Sequence, residues 1–190
     1  MTRLPSPFGD DFPLNSNELQ ALTPYISQKS FKKTETIFPQ GKICNELFIM
    51  HKGLVRCLYI LEGKDVDLRL LCDQSAVLAY SSFIKQSPPV ESIQCLQDFE
   101  GFMLSLRHIK TLRLQLPIIT EYERIMAEQH YLAMERRLHT IQYKSAEQRY
   151  RYFIKEMPKK IVTETPAHHI AAYLGITPES FSRVKRKLYI

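Results

Sequence analysis

The chain has 190 residues, which suits one large domain or two small ones. It contains no apolar run of about 18 residues, which excludes a predicted transmembrane helix and membrane partner. The first residues, MTRLPSPFGDDF, lack the apolar segment of a secretory signal, which favours the cytoplasm. The net charge of +6 comes entirely from residues 140–190, with ten Lys/Arg and four Asp/Glu, whereas residues 1–139 hold sixteen of each. Local positive charge of this kind indicates a partner rich in phosphate.

The N-terminal half is predicted to form a short helix and then a β sandwich or barrel. Residues 16–30 suit a helix, with Leu19, Leu22 and Ile26 as its apolar positions. Short apolar or alternating runs, separated by turn signals such as Gln40-Gly41 and Glu62-Gly63, then predict strands at residues 36–38, 47–50, 54–60, 66–71, 92–96 and 101–105. Many short strands with regular turns favour an antiparallel sandwich or barrel.

The four cysteines, Cys44, Cys57, Cys72 and Cys95, all fall in this strand-rich half. None forms a Cys-x-x-Cys pair, and cysteine at such positions usually acts as a small buried hydrophobe. No disulfide, zinc site or iron–sulfur cluster is therefore expected, and the sequence implies no cofactor.

Pro117 opens a long predicted helix that extends to about residue 140. Its positions step by four and three in a heptad-like stripe that polar residues interrupt: Ile118, Tyr122, Ile125, Gln129, Leu132, Arg136 and His139. The stripe would pack either against its own domain or against a second chain in a coiled-coil seam. A further helix is predicted from Ser145, with Gln148 completing a capping box, to Met157, and residues 158–164 are expected to be a linker.

Residues 165–190, TPAHHIAAYLGITPESFSRVKRKLYI, have the pattern of a helix-turn-helix. Thr165 is the expected N-cap of the first helix and Pro166 its first residue, Gly175 is placed for a sharp turn, and Thr177 is placed to cap the second helix. The second helix has an apolar face of Phe181, Val184 and Leu188, and an outer face of Glu179, Ser182, Arg183, Arg186 and Lys187. Such a basic second helix is suited to the major groove of double-stranded DNA. A plain helical hairpin with a solvated basic face is the competing interpretation.

The order of these elements resembles the Crp/Fnr superfamily of bacterial transcription regulators. The segments Phe38-Pro-Gln-Gly41, Leu47-Phe48-Ile49 and Lys52-Gly53-Leu54-Val55-Arg56 are similar to its cyclic-nucleotide-binding-type jelly roll. The C-terminal motif HHIAAYLGITPESFSRVKRKL is most similar to that of Bacteroidetes-type regulators. The resemblance implies an α+β fold: a jelly roll with an N-terminal helix over residues 1–115, a dimerisation helix over 117–140, and a winged-helix-like helix-turn-helix domain over 141–190.

The resemblance does not extend to the nucleotide site. Nucleotide-binding members have a Phe-Gly-Glu turn followed by an Arg-Ser or Arg-Ala pair, whereas this chain has Val77-Leu78-Ala79-Tyr80-Ser81-Ser82 and then Pro88-Pro89-Val90-Glu91-Ser92. Loss of the arginine removes a charge-assisted contact to phosphate, and a carboxylate at Glu91 would repel it. We therefore expect no response to cyclic AMP. By fold analogy, an unknown small-molecule effector would lie near Tyr80, Ser82, Glu91 and Tyr122.

The resemblance also assigns roles within the second helix of the motif. Glu179 and Arg183 match its base-contacting positions, which suits the chemistry, because arginine can bind guanine bidentately and glutamate can accept from cytosine. Thr177 and Ser180 are expected to contact bases or phosphates. Phosphate contacts are expected from Lys185, Arg186, Lys187 and His169.

Two other classes of function compete with a dimeric regulator. One is a ligand-binding or protein-interaction module that has lost DNA binding, which the short tail of Tyr189 and Ile190 would suit. The other is an enzyme, which is not expected because the chain has no glycine-rich phosphate loop, metal triad or Gly-x-Ser-x-Gly motif.

Overall fold

The structure, a computed structural model, describes residues 14–188; the predictions made for residues 1–12 and for the last two residues lie outside this range. The strands are β1 Ser27–Phe31, β2 Thr36–Phe38, β3 Glu46–Lys52, β4 Leu54–Leu61, β5 Lys64–Cys72, β6 Ala76–Val77, β7 Ser92–Cys95 and β8 Phe99–Ser105. The helices are α1 Ser16–Leu22, α2 Tyr80–Lys85, α3 Leu106–Gln115, α4 Pro117–Gln142, α5 Ala146–Glu156, α6 Lys159–Glu164, α7 Ala167–Leu174 and α8 Pro178–Leu188.

The strands form a sandwich of two antiparallel four-stranded sheets, with strand orders β1-β8-β3-β6 and β2-β7-β4-β5. Apolar side chains from both sheets fill the space between them, and Phe31, Phe48 and Phe99 pack there edge to face. All six predicted strands are present, and β1 and β6 are added to them. The predicted antiparallel sandwich is confirmed.

The predicted helix over residues 16–30 is wrong in its second half. Helix α1 ends at Leu22, a 3-10 turn covers Thr23–Tyr25, and Ser27–Phe31 pairs with β8. The reason is Pro24, which cannot donate a helical hydrogen bond, so the chain leaves the helix there.

The linker expected at residues 158–164 is also wrong, because Lys159–Glu164 forms helix α6. The backbone N–H of Thr165 donates to the carbonyl oxygen of Ile161, so Thr165 ends α6 and does not cap α7. Pro166 takes the N-cap position of α7 instead.

The two halves of helix α4 differ in how far they are buried. In its first half, Tyr122 and Met126 are buried against the sandwich. In its second half, Tyr131, Leu132 and Leu138 are 65%, 52% and 50% exposed. The stripe seen in the sequence therefore packs against its own sandwich at one end, and at the other end its member Leu132 is uncovered, as are Tyr131 and Leu138 beside it.

The chain after α4 is helical, and within residues 14–188 no strand follows Ser105. The C-terminal domain therefore has the helices of the expected winged-helix-like domain, but its described residues form no strands that could serve as a wing. Helices α5 to α8 share an apolar cluster with Leu54, Leu70 and Leu96 of the sandwich. Since neighbouring Val55 belongs to the interior of the sandwich, Leu54 lies on the opposite face of its sheet. The C-terminal helices therefore rest on the outer face of the sheet β2-β7-β4-β5.

Candidate nucleic-acid interface

Helices α7 and α8 are joined by the tight turn that the sequence predicts. Gly175 has a left-handed backbone with φ of 63°, and its N–H donates to the carbonyl oxygen of Ala172 at 3.3 Å. The hydroxyl of Thr177 accepts from the backbone N–H of Ser180 at 3.2 Å, which caps α8. On the inner side of α8, the buried ring of Phe181 packs edge-on against Tyr150 with centroids 5.0 Å apart. These contacts fix which side of α8 faces outward.

The outward side of α8 presents one acceptor and several donors. Glu179, Arg183, Lys185 and Arg186 are exposed. A hydrogen bond from its own backbone N–H holds the pKa of the Glu179 carboxyl below its usual value, so at neutral pH the group is an acceptor only. Within residues 14–188, Arg183 forms no ion pair, and its Nη2 lies 3.5 Å from the hydroxyl of Ser180. Its guanidinium is available to a partner.

Lys187 differs from the other cations of α8 because it has a carboxylate partner. Its Nζ lies 2.7 Å from Oε2 of Glu147 on α5, and Nη2 of Arg151 lies 3.0 Å from the other oxygen of the same carboxyl group. Both ion pairs are exposed enough to be readily exchanged for other partners.

His169 is not on the surface formed by α8. Its imidazole is buried, and Nδ1 lies 3.0 Å from Nη1 of Arg56 and 3.3 Å from Oδ2 of Asp67. Both partners belong to the sandwich, on β4 and β5. The structure therefore separates His169 from the other residues predicted to contact DNA, and its side chain joins α7 to the sandwich.

Sequence reasoning gave no role to Arg149, which the structure places at the junction of three elements. Its guanidinium donates to the carbonyl oxygens of Ile141, Tyr143, Leu174 and Gly175. No sequence motif marks such a residue, because its partners are backbone atoms whose meeting depends on the fold.

A cavity of about 70 Å³ lies between the sandwich and α4, where an effector was expected. The rings of Tyr80 and His130 stack across it with centroids 4.4 Å apart, and Nδ1 of His130 is 3.3 Å from Nη1 of Arg69. Burial, together with the charge of Arg69, lowers the pKa of His130 to about 4, so the ring is neutral.

Of the four residues predicted to form an effector pocket, Tyr80 lines this cavity, and the other three are buried in the structure around it. The hydroxyl of Ser82 donates to the carbonyl oxygen of Ser87 at 2.5 Å. Glu91 forms an ion pair with Arg69, with Oε2 and Nη2 3.3 Å apart. Tyr122 is buried in the core, and burial raises the pKa of its phenol.

Residues 14–188 contain no group of His, Cys, Asp and Glu side chains that could hold a metal ion. Cys44, Cys57 and Cys95 are buried, as expected, whereas Cys72 is only partly buried. Burial raises the thiol pKa of both Cys57 and Cys95 to about 12. None of the helices within the described range is long and apolar enough to cross a membrane.

In comparisons with known proteins, the chain matches no family model and no curated protein. Solved structures do match. FixK2 from Bradyrhizobium japonicum has 16% sequence identity and a TM-score of 0.75 over 86% of this chain and 84% of its own. The c-di-GMP-responsive regulator CLP from Xanthomonas campestris has 13% identity and a TM-score of 0.73 over 92% of both chains. A crp/fnr-family transcriptional regulator from Eubacterium rectale has 18% identity and a TM-score of 0.69 over 93% and 84%.

The chain has the fold of the Crp/Fnr regulators. This likeness extends over the sandwich, the long helix and the C-terminal helices together, since each match covers most of both chains. The fold that the sequence motifs implied is confirmed. At 13–18% identity the likeness concerns the fold, and the roles of individual residues must be argued from their own geometry.

Proposed function

We propose that the protein is a dimeric, sequence-specific DNA-binding transcription regulator that inserts α8 into the major groove. The proposal rests on the two faces of α8. One face is packed into the apolar cluster through Phe181, and the opposite face exposes Glu179 and Arg183, which are four residues apart. Two of the structural neighbours, the crp/fnr-family protein and CLP, are described as regulators of transcription or gene expression, which supports the same class of function. We propose the functional units that the sequence led us to expect, over residues 1–115, 117–140 and 141–190.

Each exposed residue of α8 has a role that its chemistry suits. Arg183 would donate to O6 and N7 of guanine, and Glu179 would accept from N4 of cytosine. Thr177 and Ser180, at the N-terminal end of the helix, would contact bases or phosphates. Lys185, Arg186 and Lys187 would contact phosphates, with Lys187 exchanging Glu147 for the DNA backbone.

The uncovered second half of α4 supports a dimer. Tyr131, Leu132 and Leu138 expose large apolar side chains within about 120° of one another around this helix of 26 residues. Apolar side chains at such positions are usually covered by a partner. A second copy of the chain, packed helix against helix, would cover them and pair the two α8 helices on a two-fold site.

The cavity beside α4 argues against a cyclic-nucleotide response. Its volume of about 70 Å³ is far below the roughly 300 Å³ at which ligand sites begin. Its arginine, Arg69, is already neutralised by Glu91, so no free cation is left for a cyclic phosphate.

Binding to fluorescent duplex DNA across a range of salt concentrations tests the proposal. A protein that neutralises several phosphates loses affinity steeply, with a slope of about −0.9 per phosphate in a plot of log K against log salt. Weak binding that does not change with salt would instead favour an interaction module without DNA binding.

A further inference from the structure

One guanidinium connects the end of the long helix to the turn of the helix-turn-helix. From α5, Nε and Nη2 of Arg149 donate to the carbonyl oxygens of Tyr143 at 2.9 Å and Ile141 at 3.2 Å. Nη1 donates to the carbonyl oxygens of Leu174 at 2.9 Å and Gly175 at 3.2 Å. We call Arg149 and these four carbonyl groups the carbonyl clamp.

The clamp joins two helix ends that need a cation. The last carbonyl groups of a helix have no partner within the helix, and its C-terminus carries partial negative charge. Ile141 and Tyr143 lie at the end of α4, and Leu174 and Gly175 lie at the end of α7. One positive charge therefore satisfies both ends, and it can do so only while the two ends stay close together.

Arginine is suited to this position in a way that lysine is not. Its planar guanidinium offers five N–H groups in a fixed arrangement, and the clamp uses them in two opposite directions. The ammonium group of lysine is a single point that cannot reach both helix ends at once. Within residues 14–188 Arg149 forms no ion pair, and Glu147 on the same helix pairs with Arg151 and Lys187.

The guanidinium of Arg149 also packs closely against the turn at Gly175. A Cβ atom added to Gly175 would lie 3.3 Å from Nη1 of Arg149, closer than ordinary van der Waals contact. Helix α8 starts three residues later, at Pro178. The clamp therefore holds the base of the proposed DNA-contacting helix against the end of the proposed dimerisation helix.

We infer that Arg149 is a positioning residue that sets the angle between α4 and α8, and through it the spacing between the two DNA half-sites that a dimer accepts. This inference rests on the proposed function. In a two-fold dimer the two α4 helices are fixed to each other, so the separation of the two α8 helices depends on how each is held to its own chain, through this clamp and through the docking of α7 on the sandwich. That separation must match successive turns of the major groove.

The test uses duplexes that carry two copies of the preferred half-site at graded spacings. Wild type is expected to bind one spacing best. Arg149→Lys is expected to keep the base preference within each half-site, because α8 is unchanged. At the optimal spacing it should lose about tenfold in affinity, within the range typical of coupling between sites, and its profile over the other spacings should flatten. Arg151→Lys, an exposed arginine on the same helix, is the matched control and should behave as wild type.

Gly175→Asn provides a second variant in which Arg149 remains. Asparagine tolerates the left-handed backbone at this position, but its Cβ would press on the guanidinium. Gly175→Asn should flatten or shift the profile of affinity against half-site spacing in the same way as Arg149→Lys. It tests the positioning role of Arg149 if Arg149→Lys does not fold. A wild-type profile in the folded variants would overturn the positioning role alone. Failure of wild type to bind any duplex would overturn both this inference and the proposed function.

Discussion

His169 of α7 and Asp67 of β5 meet in a buried contact between the C-terminal helices and the sandwich, with Nδ1 and Oδ2 3.3 Å apart. Asp67 is fully buried, and its Oδ1 lies 3.3 Å from Nη1 of Arg56. Nη1 of Arg56 also contacts Asp65, at 2.7 Å. Around this polar contact, apolar residues of both parts form one cluster. The helix-turn-helix is therefore docked on the sheet and does not hang freely from α4.

Asp67→Asn should weaken this docking. The substitution removes a buried charge between Arg56 and His169, and breaking a buried pair commonly costs about 3–5 kcal/mol. Because Arg56 keeps Asp65 as a partner, we expect a loss of about 2 kcal/mol in the free energy of unfolding, measured by urea denaturation. Asp65→Asn is the matched control: its side chain is 46% exposed, and we expect a loss below about 1 kcal/mol. Equal losses would contradict a special role for the buried carboxylate.

Arg183→Ala and Lys185→Ala should fail in different ways. Loss of Arg183 should abolish base preference at one position of each half-site, a cost of about 1–3 kcal/mol on the preferred sequence. Loss of Lys185 should weaken binding to all sequences alike and reduce the salt slope by about 1. Gel-shift titrations on preferred and scrambled duplexes separate the two effects. Lys85→Ala, an exposed lysine of the sandwich, controls for the change in net charge. Unchanged specificity in Arg183→Ala would remove Arg183 from the base-contacting set.

His130 should make the protein less stable in mild acid. Its pKa is lowered to about 4 in the folded chain by burial and by Arg69, compared with about 6.5 when unfolded. Below pH 6.5 the unfolded chain takes up a proton that the folded chain does not, so stability falls until about pH 4 and then levels off. The full shift would correspond to about 3 kcal/mol, and solvent screening of this half-buried ring reduces the expected effect to about 1–2 kcal/mol.

Urea denaturation at pH 7, 5.5 and 4.5 measures this effect as a difference between wild type and His130→Phe. Carboxylates contribute equally to the pH dependence of unfolding in both proteins, so the difference between the two free energies of unfolding reports on His130 alone. Identical profiles for wild type and His130→Phe would contradict the assignment.

Cyclic AMP should leave the melting temperature of the protein unchanged. A ligand present at 100 times its Kd stabilises the folded state by about 2.7 kcal/mol, which for a chain of this length raises Tm by roughly 5–10 °C. The small cavity and the Arg69–Glu91 pair leave no room and no free cation for the nucleotide. Thermal denaturation with millimolar cyclic AMP checks this, and a rise of several degrees would show that the cavity opens.

The sequence predicted the parts of the fold that local chemistry decides. Gly175 and Thr177 mark their turn and cap by residue type alone, and the capping box of Ser145 and Gln148 is present as expected. The predicted helix over residues 16–30 is wrong because Pro24 interrupts the helix despite the apolar spacing around it. Helix α6 was missed because it is short and follows a proline.

The contacts between distant segments could not be predicted in this way. His169 looked like a phosphate-contacting residue because it is one of two adjacent histidines on a helix of the helix-turn-helix without cysteine partners, yet its partners are 113 and 102 residues away in the chain. Glu91 looked like an unpaired carboxylate, but it is neutralised by Arg69 from another strand. The role of Arg149 depends on backbone carbonyl groups, which carry no sequence signal at all.

Selection of bound duplexes from a random pool tests the central claim most directly. If the protein is a dimer that reads bases through α8, repeated rounds should enrich a two-fold symmetric consensus with a guanine in each half-site whose selection disappears in Arg183→Ala. Failure to enrich any sequence from a folded, monodisperse protein would contradict the account.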